Sequence, residues 1–148
     1  MANNVSDSQD KILNALKDGK FHSGESLGEL LGVSRTAVWK QLQKLEEIGL
    51  QVESVKGTGY RVANGIDLLV KVDITAHLRE SNRNEPRSIE LFQSLASTNK
   101  YLQEQAEKSG CSGSVVLAER QTSGRGRRGK TWVSPFAANI YMSILWDF

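Results

Sequence analysis

The sequence is short of several things. Its 148 residues include one cysteine, two prolines and an aromatic fraction of 7%. A lone thiol, Cys111, can form neither an internal disulfide nor a thiolate metal cluster, which points to a reducing, cytoplasmic location. Its ordinary role would be a small buried or half-exposed hydrophobe. Thirteen glycines with two prolines exclude a collagen-like repeat, and no run approaches the roughly 18 apolar residues of a membrane span. Residues 1–7 lack both a basic start and an apolar core, so they are no secretory signal. What is present is ordinary: 39% hydrophobic and 24% charged residues suit a folded globular chain of one domain or two small ones.

The formal net charge of +2 says little until it is split by position. Residues 1–65 hold 8 Lys+Arg and 8 Asp+Glu, whereas residues 66–148 hold 11 and 9. Within the second part Arg120, Arg125, Arg127, Arg128 and Lys130 crowd into eleven residues that contain no acid.

In the first part, Ser6 stands three residues before Gln9 with capping-box spacing, and Ile12, Leu13 and Leu16 recur at helical spacing until Asp18-Gly19. Ser23 is placed to cap a second helix with Leu27, Leu30 and Leu31 on one face and Gly32 as its stop. Ser34 caps a third, with Val38, Leu42, Leu45 and Ile48 as its buried face and Gly49 ending it. The other face of this helix carries Arg35, Thr36, Trp39, Lys40, Gln43 and Lys44, without an acid before Glu46. Two β segments, 50–55 and 60–62, flank the glycine-rich turn 56–59. Three helices and a hairpin predict a winged helix-turn-helix whose third helix enters the DNA major groove, with Ser34 to Lys44 supplying the contacts. Trp39 is as well placed to pack on the wing as to touch DNA. His22 has no second metal-type residue at a useful spacing and reads as structural or solvated. Four neutralised phosphates would give a log-log salt slope of only about −3.6, so a dimer reading two half-sites is expected.

Beyond Gly65 the pattern is that of an α+β domain. Residues 66–72 are apolar-rich, Asp73 is placed to cap a short helix over 73–78, and 80–87 read as a polar loop. A strand over 89–92 leads to Ser97-Thr98-Asn99, which cap a helix over 100–108, and another strand spans 114–119. Residues 139–146 carry apolar side chains on both alternating sets, which predicts a central strand covered on two faces, although nothing upstream supplies that cover. The loop between these strands, 121–132, matches P-loop spacing through Gly124, Gly129, Lys130 and Thr131, and the dinucleotide fingerprint through Gly124, Gly126 and Gly129. Both patterns need a helix directly afterwards, and Thr131, Trp132, Val133 and Pro135 oppose one. What remains is a cationic loop whose guanidiniums can fork around carboxylate or phosphate, with Trp132 beside it as a stacking surface for a purine.

Read together, the halves resemble the bifunctional biotin protein ligases that also repress the biotin operon. The resemblance rests on Phe21 to Glu25, Leu27 to Lys40, Gly57 to Tyr60, Ser97 to Leu102, and Gln121 through Pro135 into Asn139 to Ser143. It implies a winged helix-turn-helix in residues 1–65 and the first part of a class II synthetase-like ligase domain in 66–148. The implied reaction forms biotinyl-5′-adenylate from biotin and ATP, with Mg2+ accompanying the nucleotide and no tightly held protein metal. A lysine of the biotin carboxyl carrier protein then takes the biotinyl group. By motif, Ser97, Thr98, Asn99 and Gln121 fall on biotin-binding positions, and Arg125, Gly126 and Arg127 on the loop that closes over biotin and adenylate. Arg125 and Arg127 are the catalytic candidates, Arg127 to retain the adenylate, and Trp132 is the candidate adenine-side wall. The implied partners are biotin operator DNA, the carrier protein and a second copy joined in a ligand-induced homodimer. The family's Lys-Trp-Pro-Asn motif does not occur in these 148 residues, which therefore read as part of a longer protein and as incompetent alone. The alternatives are a winged-helix regulator whose second domain only senses a small anion, and a chain whose two basic sites both contact nucleic acid.

Overall fold

The structure, a computed structural model, describes residues 7–81, 83–109, 112–126, 128 and 130–147. The expectations placed on Ser6, Cys111, Arg127 and Gly129 lie outside the described residues. The chain divides into two compact units, Val5–Asp67 and one containing Leu68–Phe148.

The first unit contains α1 (Asp7–Leu16), α2 (Gly24–Leu31), α3 (Arg35–Glu47), β1 (Glu53–Val55) and β2 (Gly59–Arg61). Ile12, Leu13 and Leu16 of α1 are fully buried. Gly19, at φ +71, turns the chain away after α1, and its N–H donates to the Leu16 carbonyl. Ser23 Oγ accepts from Ser26 N at 3.0 Å and Ser34 Oγ from Ala37 N at 3.3 Å, so both expected caps form. Val38, Leu42 and Leu45 of α3 are buried and Ile48 is half-buried.

Two details differ from expectation. Leu30 is 51% exposed, because the inner face of α2 is made by Gly24, Leu27 and Gly28. A Cβ on Gly28 would lie 2.8 Å from the Val33 carbonyl oxygen, so the turn packs against bare backbone there and Leu30 is rotated outward. The hairpin strands are also shorter than 50–55 and 60–62. Leu50 N donates to the Leu45 carbonyl, closing α3 instead of joining the ladder, and the Val62 carbonyl accepts from Gly65 N in the next turn. β1 and β2 pair antiparallel, Glu53 opposite Arg61. His22 and Tyr60 exchange both backbone hydrogen bonds at 2.9 Å, and at Gly59, φ +127, a Cβ would strike the His22 carbonyl.

The second unit contains α4 (Lys71–Glu80), β3 (Ser88–Phe92), α5 (Thr98–Ser109), β4 (Ser114–Ala118) and β5 (Tyr141–Ile144). The sheet order is β3-β4-β5, with β3 and β4 parallel across α5 and β5 antiparallel to β4. All of β4 is buried. On one face Val116 and Ala118 pack with Leu95, Leu102 and Tyr141; on the other Val115, Leu117 and Ile89 pack with Leu69, Ile74 and Leu78.

Here too two expectations are corrected. Asp73 does not cap a helix over 73–78: α4 starts two residues earlier, its N-cap Val70 makes no side-chain cap bond, and Asp73 sits in the first turn, where a carboxylate still favours the helix dipole. Among the described residues the last strand is shorter than expected and has a partner on one side only. It covers Tyr141–Ile144, pairs with β4 on one side, and leaves Ile140, Met142, Ile144 and Trp146 between 53% and 71% exposed. The two-sided apolar pattern is real, but among the described residues β4 is the strand covered on both faces, and nothing covers this row of β5.

Candidate functional site

The first candidate surface is the outer face of α3. Arg35, Thr36, Trp39, Lys40, Gln43 and Lys44 are all exposed there, with Trp39 at 48%. Ser34 is exposed as well, its oxygen engaged in the cap, which leaves its proton as a donor at the helix tip. A face with three cations and no acid over three turns suits a phosphate backbone. Lys56, in the hairpin turn, is exposed as well. His22 Nε2 lies 3.0 Å from Asp18 Oδ1, and this contact, ahead of the Lys20 N–H, holds the Asp18 carboxyl below the usual carboxylate value.

The second is a groove in the other unit. Past the end of β3 the parallel pairing resumes at Leu95 and Gln121, where Leu95 N donates to the Arg120 carbonyl, Thr122 N to Leu95 and Ser123 N to Ala96. These bonds lay the chain entering α5 beside the chain leaving β4. Ser97 Oγ accepts from Lys100 N at 3.4 Å, so it caps α5 as well as facing the groove. Thr98 N and Oγ1 both donate to Gln121 Oε1, at 2.8 and 3.1 Å, and Gln121 N in turn donates to Ser134 Oγ at 2.7 Å. Across the opening the Trp132 indole lies over Gly124, where any Cβ would collide with it, and its ring stands 6.3 Å from that of Tyr141.

The groove has a volume of about 600 Å³. Of the residues expected to bind ligand, Ser97, Thr98, Asn99, Gln121, Arg125 and Trp132 line it. Gly126 does not line it; a Cβ there would meet the Lys130 carbonyl, so Gly126 serves the close return of the loop on itself. Arg125, Arg128 and Lys130 are exposed. Among the described residues no helix follows the loop, so neither the P-loop nor the dinucleotide geometry is present. Met142 and Ser143 of β5 also line the groove and were missed, since their inclusion depends on the pairing of β5 with β4. Behind the groove the Tyr101 hydroxyl donates to Glu90 Oε2 at 2.8 Å; burial first, then this carboxylate, pushes the phenol pKa up and keeps it a neutral donor joining α5 to β3. No group of three or more His, Cys, Asp and Glu that could hold a metal occurs among the described residues, and no helix there is long and apolar enough to cross a membrane.

Residues 8–61 match the family model described as HTH domain, and residues 91–148 match that of the biotin/lipoate A/B protein ligase family. The chain therefore carries a stretch similar to helix-turn-helix domains followed by a stretch similar to the biotin/lipoate ligases. Among named proteins it is 41% identical over 136 residues to the bifunctional ligase/repressor BirA of Escherichia coli and 42% over 135 residues to that of Salmonella typhimurium. With BirA of Bacillus subtilis it shares 33% over 126 residues. These alignments take in 92%, 91% and 85% of this chain but 40%, 40% and 38% of the relatives, so the chain spans about 40% of the length of the curated relatives it matches.

Proposed function

We propose that this chain acts within a biotin protein ligase that also represses transcription, with residues 1–65 reading DNA and residues 66–148 contributing to the ligase site. The observation that carries the reading is the convergence of Ser97 to Asn99, Gln121, Arg125 and Trp132 on one groove that is polar on its floor, aromatic on one wall and cationic at its mouth. In the reaction the biotin carboxylate attacks the α-phosphate of ATP, which arrives with Mg2+ on its phosphates, and pyrophosphate leaves. The ε-amine of a lysine on the biotin carboxyl carrier protein then attacks the acyl carbon of biotinyl-5′-adenylate and displaces AMP.

The first step drives an anion toward a polyanion, so it needs fixed positive charge and exclusion of water. Ser97, Thr98, Asn99 and Gln121 hold biotin in this reading, Arg125, Gly126 and Arg127 close over it, Arg127 retains the adenylate and Trp132 flanks the adenine. The adenylate orders the loop, two copies pair, and their third helices meet a palindromic operator through Ser34, Arg35, Thr36, Trp39, Lys40, Gln43 and Lys44. The protein works in the cytoplasm. The 148 residues by themselves do not complete the adenylation, because the family's lysine motif is not among them.

Biotin-dependent exchange of labelled pyrophosphate into ATP tests the enzymatic half. The full-length protein is expected to support it and Arg127→Gly to release adenylate faster. Absence of exchange by the full-length protein, or robust exchange by the 148 residues alone, would refute the corresponding statement.

A further inference from the structure

Ser143 has no role in the reading above, yet it stands at the end of a hydrogen-bond chain whose direction is fixed from its other end. Thr98 N–H can only donate, and it lies 2.8 Å from Gln121 Oε1. This orients the carboxamide, oxygen toward Thr98 and NH2 away from it. Thr98 Oγ1 lies 3.1 Å from the same oxygen, which can only accept, so the single hydroxyl proton of Thr98 is committed there. Ser143 Oγ lies 2.8 Å from Thr98 Oγ1. With Thr98 already donating to Gln121, Ser143 must donate to Thr98. Thr98 is 3% exposed, so water does not compete for these bonds.

The consequence faces the groove, which Gln121 and Ser143 both line. Gln121 can offer only its NH2 as a donor, and Ser143, its proton turned toward Thr98, can offer only lone pairs. We propose that Ser143 is a specificity residue: it accepts a hydrogen bond from a ureido N–H of the ligand while Gln121 donates to a ligand acceptor. This rests on the biotin reading. Biotin carries a ureido carbonyl with flanking N–H groups, whereas an acid with a purely apolar chain has no N–H to give. A site built around paired polar groups rejects the analogue that leaves them unpaired.

The test uses the full-length protein and titrates biotin and ATP separately into the wild type, Ser143→Ala and Ser143→Thr. Ser143→Ala is expected to weaken biotin by roughly 5- to 50-fold, the cost of leaving a buried donor unpaired, while ATP affinity and melting temperature hold. Ser143→Thr, which keeps the hydroxyl, is expected to recover most of the loss. In pyrophosphate exchange the same split appears as a raised KM for biotin with an unchanged KM for ATP. Biotin affinity in Ser143→Ala equal to wild type, or a matching loss for biotin and ATP, would overturn the proposal. If the wild-type protein failed to bind biotin, the biotin reading would fall, and this inference with it.

Discussion

The two units use apolar residues differently. In the first, the described apolar positions of α1 and α3 close on one another, and its larger exposed hydrophobics, Leu30, Val33, Trp39 and Val55, lie on α2, the turn after it, α3 and the hairpin. In the second, Ile140, Met142, Ile144 and Trp146 stand open along β5 and its flanks, beside a β4 that is buried throughout. The contrast separates a unit whose core is made locally from one whose outer strand is written for a cover that the described residues do not provide. Their functional surfaces differ in the same way. The residues proposed to face DNA lie on α3 and its N-cap within eleven positions, whereas the groove is assembled from four separate segments.

Substitutions can break or sharpen this contrast. The largest effect is expected from Leu45→Ala, which removes a fully buried side chain from the first unit and should cost about 2–5 kcal/mol by denaturant unfolding. Replacing Arg35, Lys40 and Lys44 together by Ala should leave folding intact and lower DNA affinity, flattening the log-log salt slope by about 0.9 for each phosphate no longer neutralised. In the second unit Gly124→Ala forces the Trp132 indole off its seat. Overpacking of this kind costs about 1–3 kcal/mol, to be read as weaker binding of the adenylate with altered tryptophan fluorescence.

Ile144→Ala tests the contrast from the other side. At 55% exposure its removal from the 148-residue chain should change stability by no more than about 0.5 kcal/mol, and a core-sized loss would show that the strand is covered after all. The smallest effect is expected at Asp18. Its pKa is lowered in the fold by His22 and the Lys20 N–H, so the stabilisation is present above the ordinary value of 3.8 and fades as pH falls through the folded value. The stability advantage of the wild type over Asp18→Asn should therefore shrink in acid, and a gap that is flat with pH would contradict the contact.

How much was legible follows the same division. Helices α1 to α3 and the caps Ser23 and Ser34 were readable because a 3.6-residue period and a local cap require no knowledge of partners. Leu30 was misplaced because Gly24 and Gly28 allow the close approach that decides which face turns inward, and that is a tertiary fact. In the second unit strand positions were readable, but strand order was not: the apolar pattern of 139–146 resembles that of a central strand, and only the pairing shows that β4 takes that place. Ser97, Thr98, Asn99, Gln121, Arg125 and Trp132, singled out by motif, all line the groove, while Ser143 joins them through its register against Val116.

In the proposed function, occupancy of the groove governs what the third helix does. A gel-shift titration of the full-length protein on a palindromic site, with and without biotin and ATP, measures it directly. Both ligands together are expected to tighten binding, and Arg127→Gly to weaken this response. Identical binding curves in the presence and absence of biotin and ATP would contradict it.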